Sequence, residues 1–411
     1  MTTAILCCTG VLLLWALFSK ALRRWRITGP MVMVLGGMVI ALSSQFGVGP
    51  PDFDLKVVEV VLTGSTAQRI AEVILALVLF TDSFEIRQGI LGHEPRPALR
   101  LLFIALPLSV VAALGIGVWA FPEMSVAAVL ALVCAVVPSD LGPASHVLKD
   151  DRIPERVRNL LNVESGYNDG IVAPIFIFAL TLAGSTSHAS TPQQALDEAF
   201  PASLKAIAIG VLVGLLAGLL KRWTSHRDWT SSSALRFGVL CIPLISYAAA
   251  VQVHGNGFIA AFVAGLAYRA ARGPASHDEA SLTEDVGVIA SYVLWFVLGA
   301  FSVLALELLL SWQVVLFSFA ALTVVRIVPV LLSLLGSRLG RRDRLVVAIL
   351  GPRGIATLVF GLLAYADLRE NEQLTVLAVM VVTVLGSFVL HGLGGPLVAK
   401  IYDRPHERVP A

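Results

Sequence analysis

Charged side chains are scarce in this chain. Asp, Glu, Lys and Arg make up 14% of its 411 residues, and 57% of the residues are hydrophobic, whereas about 25% of a typical soluble domain is charged. The formal net charge is only +2, and no basic patch with interleaved aromatic residues appears, so nucleic acid is not an expected partner. The composition excludes a soluble globular protein and predicts an all-α polytopic membrane protein whose main partner is the lipid bilayer.

Cysteines and long polar connections are also rare. The longest predicted connection, 184–200, has seventeen residues, so we treat 1–411 as one transmembrane unit with no soluble domain. The apolar N-terminus precedes its basic residues, which favours a first spanning helix over a cleaved signal peptide. No motif calls for a cofactor. The four cysteines lie in apolar runs without metal or redox spacing, and we interpret them as packing residues: Cys7, Cys8, Cys134 and Cys241.

Apolar runs long enough to cross a bilayer as a helix, about 20 residues each, predict thirteen spans. Of the 30 Lys and Arg residues, 24 lie at the C-terminus or beside connections that follow odd-numbered spans. The positive-inside rule therefore places the N-terminus outside and the C-terminus in the cytoplasm of a plasma or inner membrane. The predicted spans are 3–19, 27–46, 66–85, 98–121, 124–148, 155–183, 201–220, 234–253, 256–271, 284–305, 312–336, 344–365 and 373–398.

Two parts of the chain have the same pattern of predicted spans. An offset of 215 residues places 98–183 on 312–398 and aligns Pro138 with Arg353. In both copies the middle span is interrupted by Pro and Gly, at 138–143 and at 351–354. The copies are seven spans apart, an odd number, so they have opposite orientations. Paired interrupted helices in inverted repeats point to the midplane site of a secondary transporter, although ordinary proline kinks are the alternative.

The sixth span carries ionisable groups that are rare at membrane depth, where each costs roughly 2.5–3.5 kcal/mol on insertion scales. Asp169 has no cationic neighbour in its own stretch of the span, and burial favours the protonated form of such a carboxyl group. That suits a group which exchanges a proton for a cation. Ser165, four residues earlier, and carbonyls freed around Ser139 would supply the oxygen ligands that hard monovalent cations such as Na+ prefer. A structural carboxylate paired with a basic residue is the alternative.

Other charges in the spans are better interpreted as structural. Glu164 and Arg326 have opposite charges, and we predict a buried ion pair because an unpaired Arg in mid-span would be expensive. Asp140 and Arg353 lie at the two interruptions, where a broken helix exposes N–H groups on one side and C=O groups on the other. We expect Asp140 to face positive half-helix ends and to shape the cation path. Arg353 should face negative ends, and uncharged Asn168 should donate a hydrogen bond across the crossing.

Three weaker signals stay without an assigned role. Asp82 lies at the cytoplasmic end of the third span, where it either lines an entry funnel or caps the interface. Glu72 lies deeper in the same span, and the sequence does not name its partner. His146 is either a pH-sensing group or a histidine satisfied by its surroundings.

The sequence resembles the sodium/proton exchanger branch of the cation–proton antiporters, a family of bacterial antiporters and animal sodium/hydrogen exchangers. The most specific match is LNVESGYNDG at 161–170. Two positions differ from the usual pattern: Pro143 is displaced from the position that directly follows Asp140, and Tyr167 stands where Leu is more common. Shorter matches follow in the family's order at Ile27–Pro30, Leu79–Asp82, Pro138–Asp140, Gly257–Leu266, Arg326 and Gly351–Gly354.

The resemblance implies a thirteen-helix antiporter fold and a homodimer. It implies a mobile core of 98–183 and 312–398 beside a scaffold for dimerisation of 1–97 and 184–311. Asp169 would carry the cation or the proton, with help from Ser165 and the Ser139 region, and Asn168 just before Asp169 is typical of members that exchange one proton per cation.

We therefore predict an antiporter, not an enzyme, that exchanges Na+, or else Li+ or K+, for H+ by alternating access. Its cation selectivity, pH set point, physiological direction and dimer contacts stay open. A sodium-coupled symporter of an organic anion on a related fold is the main alternative. An intramembrane aspartyl protease would need Asp140 and Asp169 to share a proton at about 3 Å, which fits the surrounding pattern poorly. A channel fits a single titratable carboxylate between broken helices less well than a carrier does.

Overall fold

Helices account for the regular structure of this protein in its computed structural model. The structure describes residues 2–48, 64–86, 91, 92, 94–144, 150–184, 191–273, 278–394, 398 and 400–402, and no strand occurs among them. The helices are α1 Thr2–Arg24, α2 Gly29–Gln45, α3 Ser65–Glu85, α4 Pro95–Ala120, α5 Val126–Val136, α6 Glu155–Ala183, α7 Pro192–His226, α8 Ser232–Gln252, α9 Gly257–Ala271, α10 Ser281–Leu308, α11 Trp312–Ser333, α12 Arg341–Ile349, α13 Ile355–Asp367 and α14 Glu370–Gly392.

Eight of these helices are long and apolar enough to cross a membrane: α1, α4, α6, α7, α8, α10, α11 and α14. Four shorter apolar helices, α2, α5, α9 and α13, have 10 to 17 residues each. The predicted all-α membrane fold is confirmed, while the count of thirteen crossings stays a prediction.

Local sequence fixes where several helices begin. The side chain of Asn256 accepts hydrogen bonds from the backbone N–H groups of Phe258 and Ile259 at the start of α9, at 2.9 and 3.1 Å. The hydroxyl groups of Ser125, Thr191, Ser231 and Ser311 accept in the same way at the starts of α5, α7, α8 and α11. Such caps satisfy N–H groups that would otherwise have no partner in the bilayer.

The structure corrects three predicted boundaries. Helix α7 begins at Pro192, so the last nine residues of the predicted connection 184–200 are helical. The fifth span is helical only as far as Val136; a short 3-10 turn follows at Gly142–Ala144, and 145–149 lie outside the described residues. Helix α11 is interrupted at Thr323, so there is a third break beyond the two that were predicted.

Glycines set the close approach of several helix pairs. A Cβ atom added at Gly214 in α7 would collide with the carbonyl oxygen of Ala264 in α9 and lie 2.7 Å from the Cβ of Ala267. Gly210 and Gly218, one turn to either side, meet α9 in the same way. This spacing is the small-residue pattern by which membrane helices pack backbone to backbone, and it holds α7 against α9.

We expect Gly214→Ala to destabilise the protein, since the added methyl group must push α7 away from α9; overpacking of this kind costs about 1–3 kcal/mol. The measurement is the melting temperature of purified protein in detergent. The matched control is Gly115→Ala in α4, where a Cβ atom meets nothing within 4 Å. Equal melting temperatures for the two variants would show that the α7–α9 contact tolerates the methyl group.

Candidate functional site

The interruptions between α5 and α6 and between α12 and α13 contact each other in the middle of the bundle. The backbone N–H of Asp140 donates to the carbonyl oxygen of Pro352 at 2.8 Å. The Asp140 carboxylate accepts from the N–H of Gly142 at 2.7 Å and from the N–H of Ile355 at 3.1 Å. Ile355 is the first residue of α13, so the negative charge lies at the positive end of that half-helix.

Arg353 serves the opposite kind of helix end. Its side chain is fully buried, and one terminal nitrogen donates to the carbonyl oxygens of Val137 and Pro138 at 2.6 and 3.0 Å, where α5 ends. The other donates to the carbonyl oxygen of Ala321 at 2.8 Å. That carbonyl group belongs to the last turn of α11 before its break at Thr323. The sequence did not predict this break, and it leaves a carbonyl group free to accept a hydrogen bond from the Arg353 guanidinium.

These contacts join equivalent positions of the repeat. Arg353 binds the carbonyl group of Pro138, and Asp140 binds the N–H group of Ile355; in each pair the two residues are 215 positions apart, which is the offset that relates the repeats. Residues can contact their own equivalents only near the axis that relates the two copies. The crossing of the broken helices therefore lies at this axis.

Glu164 and Arg326 form a bidentate ion pair. The two terminal nitrogens of Arg326 donate to the two carboxylate oxygens of Glu164 at 2.8 and 3.0 Å, and both side chains are buried. Arg326 also donates to the carbonyl oxygens of Val347 and Leu350 at 3.1 and 2.6 Å. One guanidinium thus links α6, α11 and the end of α12.

Ser139 and Asn168 lie beside this pair and bind each other. The side-chain amide of Asn168 is 2.8 Å from the hydroxyl oxygen of Ser139, and that hydroxyl oxygen accepts a hydrogen bond from Arg326 at 3.3 Å. Both side chains are buried, and neither lines the cavity that has Ser165 on its wall. The Ser139 hydroxyl therefore lies within the ion-pair network, and the role of the Ser139 region in cation binding stays a prediction.

Asp169 is buried, with 2% of its surface exposed. Its Oδ1 atom has no hydrogen-bond partner among the described residues. The charged groups that act on it most strongly are Asp140 and Arg353, but Arg353 already donates to three carbonyl groups. Asp169 is thus a carboxylate at the centre of the crossing with an oxygen that the protein leaves unsatisfied.

A cavity of about 340 Å³ is lined by Asn162 and Ser165, which precede Asp169 on α6. Ser165, one turn before Asp169 on α6, lies on its wall and accepts a hydrogen bond from the N–H of Leu141 at 3.0 Å. Among the described residues, three carboxylates line the cavity: Asp82, Asp140 and Glu284. Their charge makes it attractive to cations and repulsive to anions.

The other residues singled out in the sequence fall in different places. Glu72 has a partner, the hydroxyl group of Tyr247, which donates to its carboxylate. Pro143 lies in the 3-10 turn on the cavity wall, and the ring of Tyr167 packs against Phe262 at 5.6 Å between centroids. His146 lies outside the described residues.

His391 is a residue that the sequence interpretation missed. It is buried in α14, and its Nε2 donates to the carbonyl oxygen of Ile349, the last residue of α12, at 3.1 Å. A π-helical stretch, Phe388–Leu393, carries it there. The only hint in the sequence was a histidine within an apolar span, and such a residue has no defined partner until the fold is known.

Comparisons with known proteins agree with this architecture. The family described as "Sodium/hydrogen exchanger, transmembrane" matches residues 10–400. The sodium proton antiporter MjNhaP1 of Methanocaldococcus jannaschii, in its structure at pH 8, superposes with a TM-score of 0.76 over 98% of this chain and 99% of that one, at 19% identity. At that identity, the likeness shows the fold.

Three curated relatives match shorter parts of this chain at 23–28% identity. A Na+/H+ antiporter of Schizosaccharomyces pombe is 23% identical over 74% of this chain and 68% of its own length. A K+/H+ antiporter, NhaP, of Alkalimonas amylolytica is 24% identical over 61% of this chain, and an uncharacterized Na+/H+ exchanger of Escherichia coli is 28% identical over 40% of it. The matches span only 42% and 30% of those last two proteins.

The ion pair makes a prediction about stability. Glu164→Leu should destabilise the protein strongly, since leaving a buried charge without its partner costs about 3–5 kcal/mol. Glu164→Leu combined with Arg326→Met should recover part of that loss. Recovery should stay incomplete because Arg326 also binds the carbonyl oxygens of Val347 and Leu350.

The measurement is thermal stability in detergent for the wild type, both single variants and the double variant. Additive losses in the double variant would show that Glu164 and Arg326 do not depend on each other.

Proposed function

The chain belongs to the sodium/hydrogen exchanger family, and from this membership we propose that it exchanges a monovalent cation for a proton across the membrane. The family is one of transporters, so the protein is not an enzyme. The S. pombe relative is a Na+/H+ antiporter and the A. amylolytica relative a K+/H+ antiporter. We propose Na+ as the principal cation here, with K+ or Li+ as the other candidates.

One observation carries the proposal: at the crossing, the carboxylates of Glu164 and Asp140 accept hydrogen bonds on both oxygens, whereas Oδ1 of Asp169 accepts none from the described residues. Glu164 has Arg326, Asp140 has two N–H groups, and Arg353 has three carbonyl groups. Asp169 has a buried oxygen without a partner. A proton or a cation would satisfy it equally well, so the two should compete for one carboxylate.

Competition for Asp169 gives coupling without a separate gate. A charged and empty carboxylate is expensive to move through an apolar barrier, so the core should move only when Asp169 holds a proton or a cation. One cation replaces one proton, which makes the cycle electroneutral. Asn168 supports this stoichiometry because it adds no second titratable group beside Asp169.

The proposed moving parts are the core of 98–183 and 312–398 and the scaffold of 1–97 and 184–311, in a homodimer. The cavity wall includes Asp82 near the end of α3 and Glu284 near the start of α10. Basic connections adjoin both ends, so by the positive-inside rule the cavity faces the cytoplasm of a plasma or inner membrane. The structure then corresponds to an inward-facing state.

The symporter alternative is less compatible with this cavity. An organic anion would have to enter past Asp82, Asp140 and Glu284, and like charges in a confined space repel it. A protease is also disfavoured, since the two oxygens of Asp140 already accept hydrogen bonds from the backbone.

We expect Asp169→Asn to abolish exchange, because an amide can neither release a proton nor neutralise a bound cation. The measurement uses proteoliposomes with an acid interior and a pH-sensitive dye, while Na+, Li+ or K+ is added outside. Wild-type protein should dissipate the gradient with at least one cation, to the same extent when the membrane potential is clamped to zero. Phe103→Ala, a change on the exposed face of α4, is the control for reconstitution. Exchange that survives in Asp169→Asn would refute the mechanism.

Competition also fixes the sign of the pH dependence. At low pH, protons occupy Asp169, so the apparent KM for the cation should be high; it should fall as pH rises and level off once the carboxyl group is mostly unprotonated. The maximal rate at saturating cation should change less with pH than the KM does. Initial rates at several cation concentrations between pH 6 and pH 9 test this. A maximal rate that changes with pH while KM stays constant would contradict simple competition.

A further inference from the structure

Four aromatic rings lie on the side of Asp169 away from the cavity. The cavity is lined by residues that precede Asp169 on α6, namely Asn162 and Ser165. Phe176 follows Asp169 by about two turns and stacks on Phe360 of α13, with ring centroids 4.5 Å apart and an angle of 25°. Both rings are fully buried. Beyond Asp169, α6 is therefore packed against an aromatic ring at Phe176. Before Asp169, Asn162 and Ser165 lie on the cavity wall.

Helix α9 supplies the other two rings, Phe258 and Phe262. They are four residues apart and so share one face of the helix. The ring of Phe258 meets Phe360 edge to face at 6.1 Å, and the ring of Phe262 meets Tyr167 edge to face at 5.6 Å. Since α9 belongs to the proposed scaffold and the partner rings to the proposed core, both contacts cross the boundary between the two parts.

The packing leaves no room at this boundary. A Cβ atom added at Gly170, the residue after Asp169, would lie 2.8 Å from the Phe262 ring. Phe258 is supported from behind by the ring of Tyr247 on α8, 6.5 Å away. The hydroxyl of Tyr247 is in turn held by Glu72 of α3. The role of Glu72 that the sequence left open is thus to brace the scaffold side of this contact.

We infer that Phe258 and Phe262 of α9 close the route between Asp169 and the outer side of the membrane, and that both ring contacts separate each time the core moves. The set Phe258, Phe262 and Phe360 is called the aromatic seal below. The inference rests on the proposed function, because only an alternating carrier needs one side closed while the other is open.

The chemistry of the seal explains why rings stand here. Water that reached Asp169 from both sides at once would carry protons through without any cation, and coupling would be lost. The rings of Phe258, Phe262 and Phe360 are large, rigid and without hydrogen-bonding groups, so they exclude water over a wide area. They can also separate without leaving an unsatisfied polar group behind.

The first test measures proton leak in Phe258→Ala, Phe262→Ala and the double variant. Proteoliposomes carry a pH gradient with N-methylglucamine as the only cation and a permeant anion to compensate charge. We expect a leak several-fold faster than in wild type that disappears when Asp169→Asn is added, because the protons pass through that carboxyl group. The control is Phe103→Ala, which removes a lipid-facing ring and should leave the leak at the wild-type level. Wild-type leak in all three variants, with cation exchange intact, would overturn the inference, and so would a leak that persists with Asp169→Asn.

A second test does not depend on how well the alanine variants fold. Phe258→Cys and Phe360→Cys are combined in a chain whose four native cysteines are replaced, and a short bifunctional thiol reagent with a reducible link joins them. We expect crosslinking to stop exchange and reduction to restore it, because the link fixes the core against the scaffold. The matched control joins Phe176→Cys to Phe360→Cys, which links two core helices, and its exchange should be the same before and after crosslinking. Exchange that continues at its starting rate after both introduced thiols have been crosslinked would show that the Phe258–Phe360 contact does not open.

The two proposals fail in different ways. Wild-type protein that exchanges no cation would refute the proposed function. Wild-type protein that exchanges normally, together with tight alanine variants and an active crosslinked pair, would refute the aromatic seal alone.

Discussion

The absence of water inside the bilayer is the constraint on which this structure depends. Interrupting a helix there exposes N–H and C=O groups that only protein can satisfy. Asp140 and Arg353 meet that demand, each from its own break towards the end of a half-helix of the other repeat. Arg326 and His391 do the same for the end of α12. The crossing is thus held by charged and polar side chains that form hydrogen bonds with the backbone groups exposed at the broken helix ends.

This compensation shapes the site as much as it supports it. Carbonyl groups at the breaks are occupied by guanidinium and imidazole donors, so few remain for a cation. Ser165 and Asp140 are left as oxygen-bearing groups on the cavity wall, and Asp169 lies buried one turn beyond Ser165 on α6. Selectivity among Na+, K+ and Li+ would then depend on a carboxylate, a hydroxyl and water more than on a ring of backbone carbonyls. The aromatic rings beyond Asp169 are the apolar counterpart of this arrangement, since they exclude the water that the cavity admits.

Much of this could be predicted from the sequence, for reasons that differ between residues. Glu164 and Arg326 could be paired because opposite charges at membrane depth have few alternatives, and the Pro- and Gly-rich interruptions marked two of the breaks. The break at Thr323 could not be predicted, because neither Pro nor Gly accompanies it; it is held by Arg353, whose carbonyl partners lie far away in sequence. The contacts of the Ser139 hydroxyl with Asn168 and Arg326 could not be predicted for a similar reason, because they depend on how three helices cross. The partner of Glu72 lies 175 residues away, beyond the reach of any local pattern.

The offset between the repeats has a consequence for biosynthesis. The carbonyl groups of Val137 and Pro138 end α5, but the guanidinium that satisfies them is made 216 and 215 residues later. At the usual rate of translation, that interval is on the order of 10–40 s. During this time the first repeat is already in the membrane with an unfinished break, which other helices, water or the insertion machinery must tolerate. Assembly of the crossing is therefore a late event, since a chain that ended before Arg353 would contain α1–α12 and still lack the guanidinium that completes the crossing.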